Sequence, residues 1–289
     1  IVGRDFEDLV GGDFLRLQPL RDTVDKIVEL PGFEKALDAY CRDLIAQTDR
    51  GDGFYYTDGH FSTYYGSRKV PKGYDPRRQM PYRGRNTIYM HNSLGEIVYL
   101  FESPTNTTLS NDIEKLISDM GRLGMKIRRK TLGFDRGGFS AKCFRFLHRR
   151  KMYFVSYLKN REKEREIDPK LFVSYQFETE DGTVEEYQIF ERERVLKSYG
   201  RIRFIILLGT DGKQIPIMTS NPYLRAATVV YFLKQRWREE NCFKYMKEHF
   251  GIDLLCTYKT ERAPKKIIKR KNMERQEVIR LIQQKKAEL

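Results

Sequence analysis

The chain has 289 residues and a formal net charge of +14, from 54 lysine and arginine residues against 40 acidic ones. Its length allows one elaborated domain or two, and its positive charge indicates a polyanionic partner, with nucleic acid the leading candidate. The four cysteines are far apart and lack metal-ligand spacing, which argues against a disulfide framework or a zinc site, and the absence of an apolar run of roughly 18 residues argues against a membrane span.

The first 50 residues predict a small helical unit. Apolar residues recur at helical spacing over residues 13–47, and Pro31 and Gly32 interrupt the pattern, which indicates two or three helices. Three strand-like runs follow, at residues 53–60, 85–93 and 95–103. The last two are joined by a short turn around Leu94, so three antiparallel strands are the simplest interpretation.

Helices and strands alternate after the third strand. Five apolar residues on one face predict a helix that ends near Gly124. These residues are Leu109, Ile113, Leu116, Ile117 and Met120. A strand that ends in Asp135, a helix over residues 139–150 and a strand over residues 151–159 complete the series.

The second half of the chain changes in character. Residues 161–219 predict charged β-hairpins around Asp181-Gly182 and Asp211-Gly212, and a long helical stretch from about Leu224 to Phe250 follows. The sequence therefore divides into a helical segment (1–50), the first part of a core (51–160), a β-rich insertion (161–220), the last part of the core (221–258) and a basic tail (259–289).

The order of these elements, with aspartates where strands end, resembles the ribonuclease H-like α/β domain, a mixed sheet flanked by helices. In such a sheet the acids that end the first and fourth strands lie side by side. The resemblance therefore implies that Asp58 and Asp135 meet, although 135 − 58 = 77 positions separate them. Adjacent carboxylates repel each other unless divalent cations lie between them, and Mg²⁺ prefers such oxygen ligands.

A third acid is needed for two ion sites roughly 3.5–4 Å apart, the arrangement that cleaves phosphodiesters. The stretch YFLKQRWREENCFKYMK, residues 231–247, supplies one. Helical spacing places Arg236, Glu240, Phe243 and Lys247 on one face, so that Glu240 could reach the metals while the cations hold phosphates.

Over roughly residues 50–255, these features resemble the DDE transposases of bacterial cut-and-paste insertion sequences. The helix of that family carries a tyrosine, an arginine, a glutamate and a lysine at fixed intervals. Arg236, Glu240 and Lys247 keep the intervals, and Trp237 follows the arginine as is typical of the family. Leu233 stands where the tyrosine is expected, so that phosphate contact is missing from the pattern.

The resemblance implies that Asp58, Asp135 and Glu240 bind two Mg²⁺ ions, which Mn²⁺ can replace, and that they activate water and then a DNA 3′ hydroxyl. Six residues would contact DNA. They are Arg236, Trp237, Lys247, Arg136, Lys244 and His60, with Trp237 stacking on an unpaired base. For His60, an exposed or turn-stabilising imidazole is the alternative. The implied partners are the double-stranded DNA of transposon ends and target, and a second copy of the chain in a synaptic homodimer, within a prokaryotic cytoplasm.

The distribution of charge favours the same interpretation. Residues 121–151, around Asp135, contain eleven basic residues and one acid (11 − 1 = +10), and the tail from residue 259 adds 11 − 4 = +7. Two other classes of protein remain open: a transposase-like protein that only binds DNA, and a ribonuclease H-like nuclease without strand transfer. The three acids disfavour the first class, and the β-rich insertion and the Arg-Trp helix disfavour the second.

Overall fold

The structure, a computed structural model, describes residues 22–23, 26–49, 51–66, 69–75, 78–159, 166–179, 181–197 and 199–250. The side chains of Trp237, Glu239, Glu240 and Phe250 are outside this description. The predicted basic tail, residues 259–289, and most of the first 25 residues also lie outside the described residues. None of the described helices has the length and apolar composition needed to cross a membrane.

Most helices and strands follow each other as the hydrophobic patterns predict. The described helices are α1 (Phe33–Thr48), α2 (Leu109–Arg122), α3 (Ala141–Arg149), α4 (Ala226–Lys234) and α5 (Trp237–Phe250). The strands are β1 (Phe54–Thr63), β2 (Lys72–Asp75), β3 (Met80–Asn92), β4 (Ile97–Ser103), β5 (Thr131–Phe134), β6 (Tyr153–Tyr157), β7 (Val173–Glu178), β8 (Val184–Leu196), β9 (Gly200–Leu208) and β10 (Gln214–Thr219).

All ten described strands form one mixed sheet. Its order is β3-β1-β5-β6-β10-β9-β8-β7, and both β2 and β4 pair with β3. Strands β1, β5 and β6 are parallel to one another, and the other pairings are antiparallel. The predicted ribonuclease H-like mixed sheet is confirmed: antiparallel strands β1, β3 and β4 are followed by β5 and β6, which are parallel to β1 and joined through helices.

The two faces of the sheet are covered by different helices. Helices α2 and α3 cover one face, where the Phe144 ring stacks on Phe154 at 4.2 Å between ring centroids. Helix α4 covers the other face, where Val229 and Val230 are completely buried. Because strand side chains alternate between faces, each β1 residue faces one helix layer or the other.

The second-half strands belong to the same sheet as the core. Strand β10 pairs with β6 in antiparallel register, so β7 to β10 extend the core sheet at one edge. The predicted turns at Gly182 and Gly212 are confirmed, and both glycines have a positive φ, near 79° and 77°, which favours glycine. The segment that the sequence marks as an insertion is thus hydrogen-bonded continuously to the central strands.

Three local predictions need correction. Strand β1 does not end at Asp58 but continues to Thr63, because the long strand β3 pairs with it as far as Gly84. Strand β2 is not evident in the sequence, because it has only four residues. The long helix expected from Leu224 to Phe250 is two helices, with a break at Gln235 and Arg236.

Candidate functional site

Asp58 and Asp135 lie side by side on neighbouring strands. The parallel pairing of β1 with β5 ends at Thr57 and Phe134, and the two aspartates are the residues that directly follow these two in the sequence. Neighbouring strands lie about 4.8 Å apart, so the two carboxylates share one edge of the sheet. The local structure therefore produces the convergence that the sequence predicts, although Asp58 is within β1 and not at its end.

The two aspartates also belong to the same face of the sheet. Alternation along β1 places Asp58 with Phe54 and Tyr56, which belong to the apolar cluster under α4. Gly133 also faces this side, because a Cβ atom there would lie 2.9 Å from the Tyr56 ring. Two positions later, Asp135 follows on the same side. Both acids therefore face the α4 and α5 side of the sheet.

Backbone hydrogen bonds orient each carboxylate. The Gly59 amide donates to Oδ1 of Asp58 at 2.8 Å, and the Gly137 amide donates to Oδ1 of Asp135 at 2.7 Å. A Cβ atom at residue 137 would lie 2.9 Å from that oxygen, so glycine is needed for this approach. The Ser156 hydroxyl donates to the Asp135 carbonyl at 3.2 Å and anchors the strand end. Each carboxylate is thus held by the backbone turn that follows it.

Alternate residues of β1 contact α4 and the break that follows it. The Phe54 ring stacks on Phe232 at 4.5 Å, and the Tyr56 hydroxyl donates to the Phe232 carbonyl at 2.6 Å. Next along the strand, Asp58 Oδ2 lies 3.5 Å from the Arg236 guanidinium. These contacts run along one face of β1 and bring the start of α5 to the aspartates.

Arg236 occupies the break between α4 and α5. The turn at Gln235 and Arg236 redirects the chain, and helix α5 begins at Trp237. The side chains of Arg236 and Asp58 are only 19% and 27% exposed, so the ion pair is partly shielded from water. Arg236 therefore lies beside the carboxylate rather than on the continuous helix face that the sequence predicts.

Glu240 lies on α5, between two contacts that tie this helix to β1. Arg236 precedes it by four residues and meets Asp58, and Phe243 follows it by three and stacks on the His60 ring at 5.2 Å. The backbone of α5 near residue 240 therefore runs along the part of β1 that carries Asp58. The side chains of Glu240 and Trp237 lie outside the described part of the structure, so their predicted roles stay predictions.

An aromatic cluster fixes α5 against the sheet. The Phe243 side chain is 7% exposed and packs edge-on against Tyr89 at 4.8 Å and His91 at 5.6 Å. Burial lowers the pKa of His91 to about 4, while its hydrogen bond to the Gly95 carbonyl acts in the opposite direction. His91 therefore supports α5 as a neutral imidazole. This role could not be predicted from the sequence, because the cluster forms only when β3 and α5 meet.

The turn between β3 and β4 contacts the first residues of α5. Gly95 has a φ of 84°, and a Cβ atom there would lie 3.1 Å from Cβ of Arg238. The Arg238 guanidinium donates to the Ser93 carbonyl at 3.1 Å. A side chain at residue 95 would press on α5, so this turn helps to set the position of the helix.

The predicted DNA contacts occupy different environments. Arg136 is exposed in the short 3₁₀ turn that follows Asp135, and Lys244 is exposed on α5. Lys247 is partly buried on the same helix, and His60 is partly buried by its stacking on Phe243. Stacking on Phe243 gives His60 a structural role. Arg236 is a cation in contact with Asp58, and Arg136 directly follows Asp135 in the chain. The predicted DNA contacts of Lys244 and Lys247 stay predictions.

The oxygen ligands fit a divalent ion of the magnesium type. Two adjacent carboxylates present hard anionic oxygens, and the Arg236 cation beside Asp58 compensates part of their repulsion. Among the described side chains, which do not include Glu240, no group of three histidine, cysteine, aspartate or glutamate residues could hold a metal ion. A complete centre therefore requires a ligand beyond Asp58 and Asp135.

Comparison with known proteins identifies the family. The structure is similar to that of the piggyBac transposase in a synaptic complex with hairpin DNA, with a TM-score of 0.47 and 14% identity over 88% of this chain and 51% of that one. It is also similar to an Aquifex aeolicus Argonaute, with a TM-score of 0.28 and 12% identity over 73% of this chain and 30% of that one. The chain thus spans about half of the piggyBac chain. No curated protein sequence matches it. A family model described as "Transposase protein" matches residues 13–289, and the chain therefore belongs to this transposase family.

Proposed function

We propose that this chain cleaves DNA at transposon ends and joins those ends to target DNA, with Asp58, Asp135 and Glu240 binding two Mg²⁺ ions. The observation that carries the proposal is the parallel register of β1 and β5, which makes Asp58 and Asp135 neighbours. When bound, the ions would supply Lewis-acid activation of the attacking oxygen and stabilisation of the leaving oxygen. Such chemistry is that of the DDE transposases, and the bacterial insertion-sequence type is our proposal for the subclass.

The residues of the chain have distinct parts in this proposal. The amides of Gly59 and Gly137 hold the two carboxylates in fixed orientations, so little reorganisation is needed when substrate binds. Arg236 compensates the charge of Asp58 and lies where the approaching phosphodiester would also need a cation. Exposed Arg136, next to Asp135 in the chain, and exposed Lys244 on α5 would hold the DNA backbone.

Glutamates at two adjacent positions of α5 allow a matched test. In a cleavage assay with Mg²⁺ or Mn²⁺ on DNA that carries candidate ends, Glu240→Gln should reduce the rate at least about a hundredfold, because it removes a metal ligand. DNA binding should persist, because the change lies outside the cationic contacts. Glu239→Gln has the same chemistry one residue earlier and should cleave at the wild-type rate.

Two outcomes of this experiment would contradict the proposal. Full cleavage by Glu240→Gln would show that Glu240 is not a metal ligand. Equal losses of cleavage rate in Glu240→Gln and Glu239→Gln would indicate a general effect on α5. A joining assay with pre-cleaved ends then separates a transposase from a simple nuclease. Joined products are expected, and cleavage without joining would exclude strand transfer.

A further inference from the structure

An arginine-rich groove lies outside the candidate metal centre. It encloses about 930 Å³ between α3, strands β8 and β9, and the segment after β10. Five arginines line it, and we refer to it as the arginine groove. They are Arg145, Arg149, Arg192, Arg201 and Arg203.

The arginine groove opens at the opposite end of the central strands from Asp58 and Asp135. Ser220, which lines the groove, donates its amide to the Phe154 carbonyl near the start of β6. Asp135 instead accepts a hydrogen bond from Ser156, farther along the same strand. Helix α3 connects the two regions, and its nine residues span roughly 13 Å. The groove is therefore a separate surface, and not an extension of the carboxylate edge.

The groove keeps a positive charge after its own ion pairs are counted. Its two acids are both paired, Glu191 with the Arg203 guanidinium and Glu193 with Arg201 at 3.7 Å. Five arginines against two glutamates leave 5 − 2 = +3 among the lining residues. On α3, Arg145 and Arg149 are exposed and lie one helical turn apart.

This concave, cationic surface has the chemistry of a phosphate-backbone site. Arginine binds phosphate through two parallel hydrogen bonds, and several guanidiniums in one groove match the closely spaced charges of DNA. Beyond the loop at residues 220–225 lies a smaller cavity of about 450 Å³, lined by Arg129, Tyr153 and Tyr223. The two tyrosine rings are 5.9 Å apart, and the Tyr223 side chain is 76% exposed. Arginine next to exposed aromatic rings is typical of nucleic-acid surfaces.

We propose that the arginine groove binds the backbone of a DNA segment other than the one that is cut. The choice of DNA as the polyanion rests on the proposed function. The positive charge of residues 121–151, which the sequence predicts around Asp135, would then contribute to two DNA-binding surfaces. Arg136 lies at the carboxylates, and Arg145 and Arg149 carry the positive surface along α3 to the groove. Two separate contacts would fix the angle at which DNA enters the site.

The test compares two double variants that each remove two exposed cations. Arg145→Gln/Arg149→Gln changes the groove, and Arg42→Gln/Lys170→Gln removes the same charge from positions that do not line it. Affinity for a duplex of about 30 base pairs is measured in EDTA against salt concentration, with circular dichroism to confirm folding. The slope of log K against log salt should become shallower by about 1.8 in the groove variant, because two phosphate contacts are lost. The control variant should keep the wild-type slope.

Equal slopes in the groove variant and the wild type would overturn the proposal. Inorganic tripolyphosphate provides a second arm: if it binds through the groove while the duplex slope is unchanged, the groove is a small-polyanion site and the proposal is likewise wrong. Both measurements are made without a catalytic metal. An inactive wild-type protein would therefore count against the proposed function and would leave this comparison fully interpretable.

Discussion

Asp58 and Asp135 show how a single residue gains its position from pairing that is remote in sequence. Asp58 continues a strand whose preceding residues are buried, and the parallel neighbour β5 ends one residue before Asp135. Each carboxylate uses one oxygen to accept a backbone amide. Strand pairing thus sets the position of both acids, and these backbone amides orient their carboxylates.

His91 leads to a prediction about pH and stability. Its pKa is about 4 in the folded protein against 6.5 in its ordinary state, because the imidazole is buried. Between these values the unfolded chain binds the additional proton, so the free energy of unfolding should fall as the pH is lowered from about 6.5 to 4. The contribution of His91 is roughly 3 kcal/mol over this range.

The measurement is urea unfolding of the wild type and of His91→Gln at pH 4.5 and 7.5. Glutamine does not titrate and can still donate to the Gly95 carbonyl, so the variant should lose less stability than the wild type when the pH is lowered. The difference between the two proteins isolates residue 91 from the other titrating groups. Identical losses in both proteins would show that His91 is not buried as a neutral group.

At the scale of elements, Phe243 supplies the aromatic contacts that attach helix α5 to the sheet among the side chains that the structure describes. Phe243 contacts a residue of β1 and two residues of β3, and the turn at Gly95 contacts the first turn of the helix. The exposed side of α5 carries Lys244 and Tyr245. Docking through Phe243 therefore determines where the acid-bearing helix lies.

Truncation of this anchor should be costly. Phe243→Ala should lower the free energy of unfolding by about 3 kcal/mol, because a buried aromatic ring is removed and its ring contacts are lost. Tyr245→Ala, on the same helix but with a side chain that is 55% exposed, should cost about 0.5 kcal/mol or less. Urea unfolding gives both values, and hydrogen exchange should show faster opening of α5 only in Phe243→Ala. Equal effects in the two variants would contradict the anchoring role.

Elements with a strong local pattern could be predicted from the sequence. Helix α2 has an apolar residue facing the core at every turn. The Asp-Gly pairs predict the turns at Gly182 and Gly212, where both glycines have a positive φ. The break before α5 could not be predicted, because apolar residues continue through α4 up to Leu233 and no proline or glycine interrupts them. The ion pair of Arg236 with Asp58 depends on that break. Its geometry is therefore a product of tertiary structure.

At the scale of the whole molecule, the net charge of +14 is unevenly placed. Arg136 and Arg236 lie at the aspartates, and five other arginines form the arginine groove at the opposite end of the central strands. The long-range pairing of β10 with β6 creates the groove, because it brings β9 and the following loop beside α3. Spacing in the sequence predicts the hairpins of the second half, but it does not reveal that they join the core sheet.

This charge predicts a strong dependence of DNA affinity on salt. Four candidate DNA contacts would each release counterions from the duplex: Arg136, Arg236, Lys244 and Lys247. The slope of log K against log salt should therefore be about −3.6 or steeper. Fluorescence anisotropy with a labelled duplex at several salt concentrations measures it, and a slope near zero would exclude an electrostatic interface with DNA.

Mn²⁺ binding, followed by electron paramagnetic resonance, tests most directly whether the two aspartates form a metal centre. Asp58→Asn and Asp135→Asn should each weaken binding at least about tenfold, because each removes a carboxylate ligand. Asp52→Asn, two residues before the start of β1, should bind Mn²⁺ as the wild type does. Unchanged affinity in both Asp58→Asn and Asp135→Asn would show that these neighbouring carboxylates hold no metal ion.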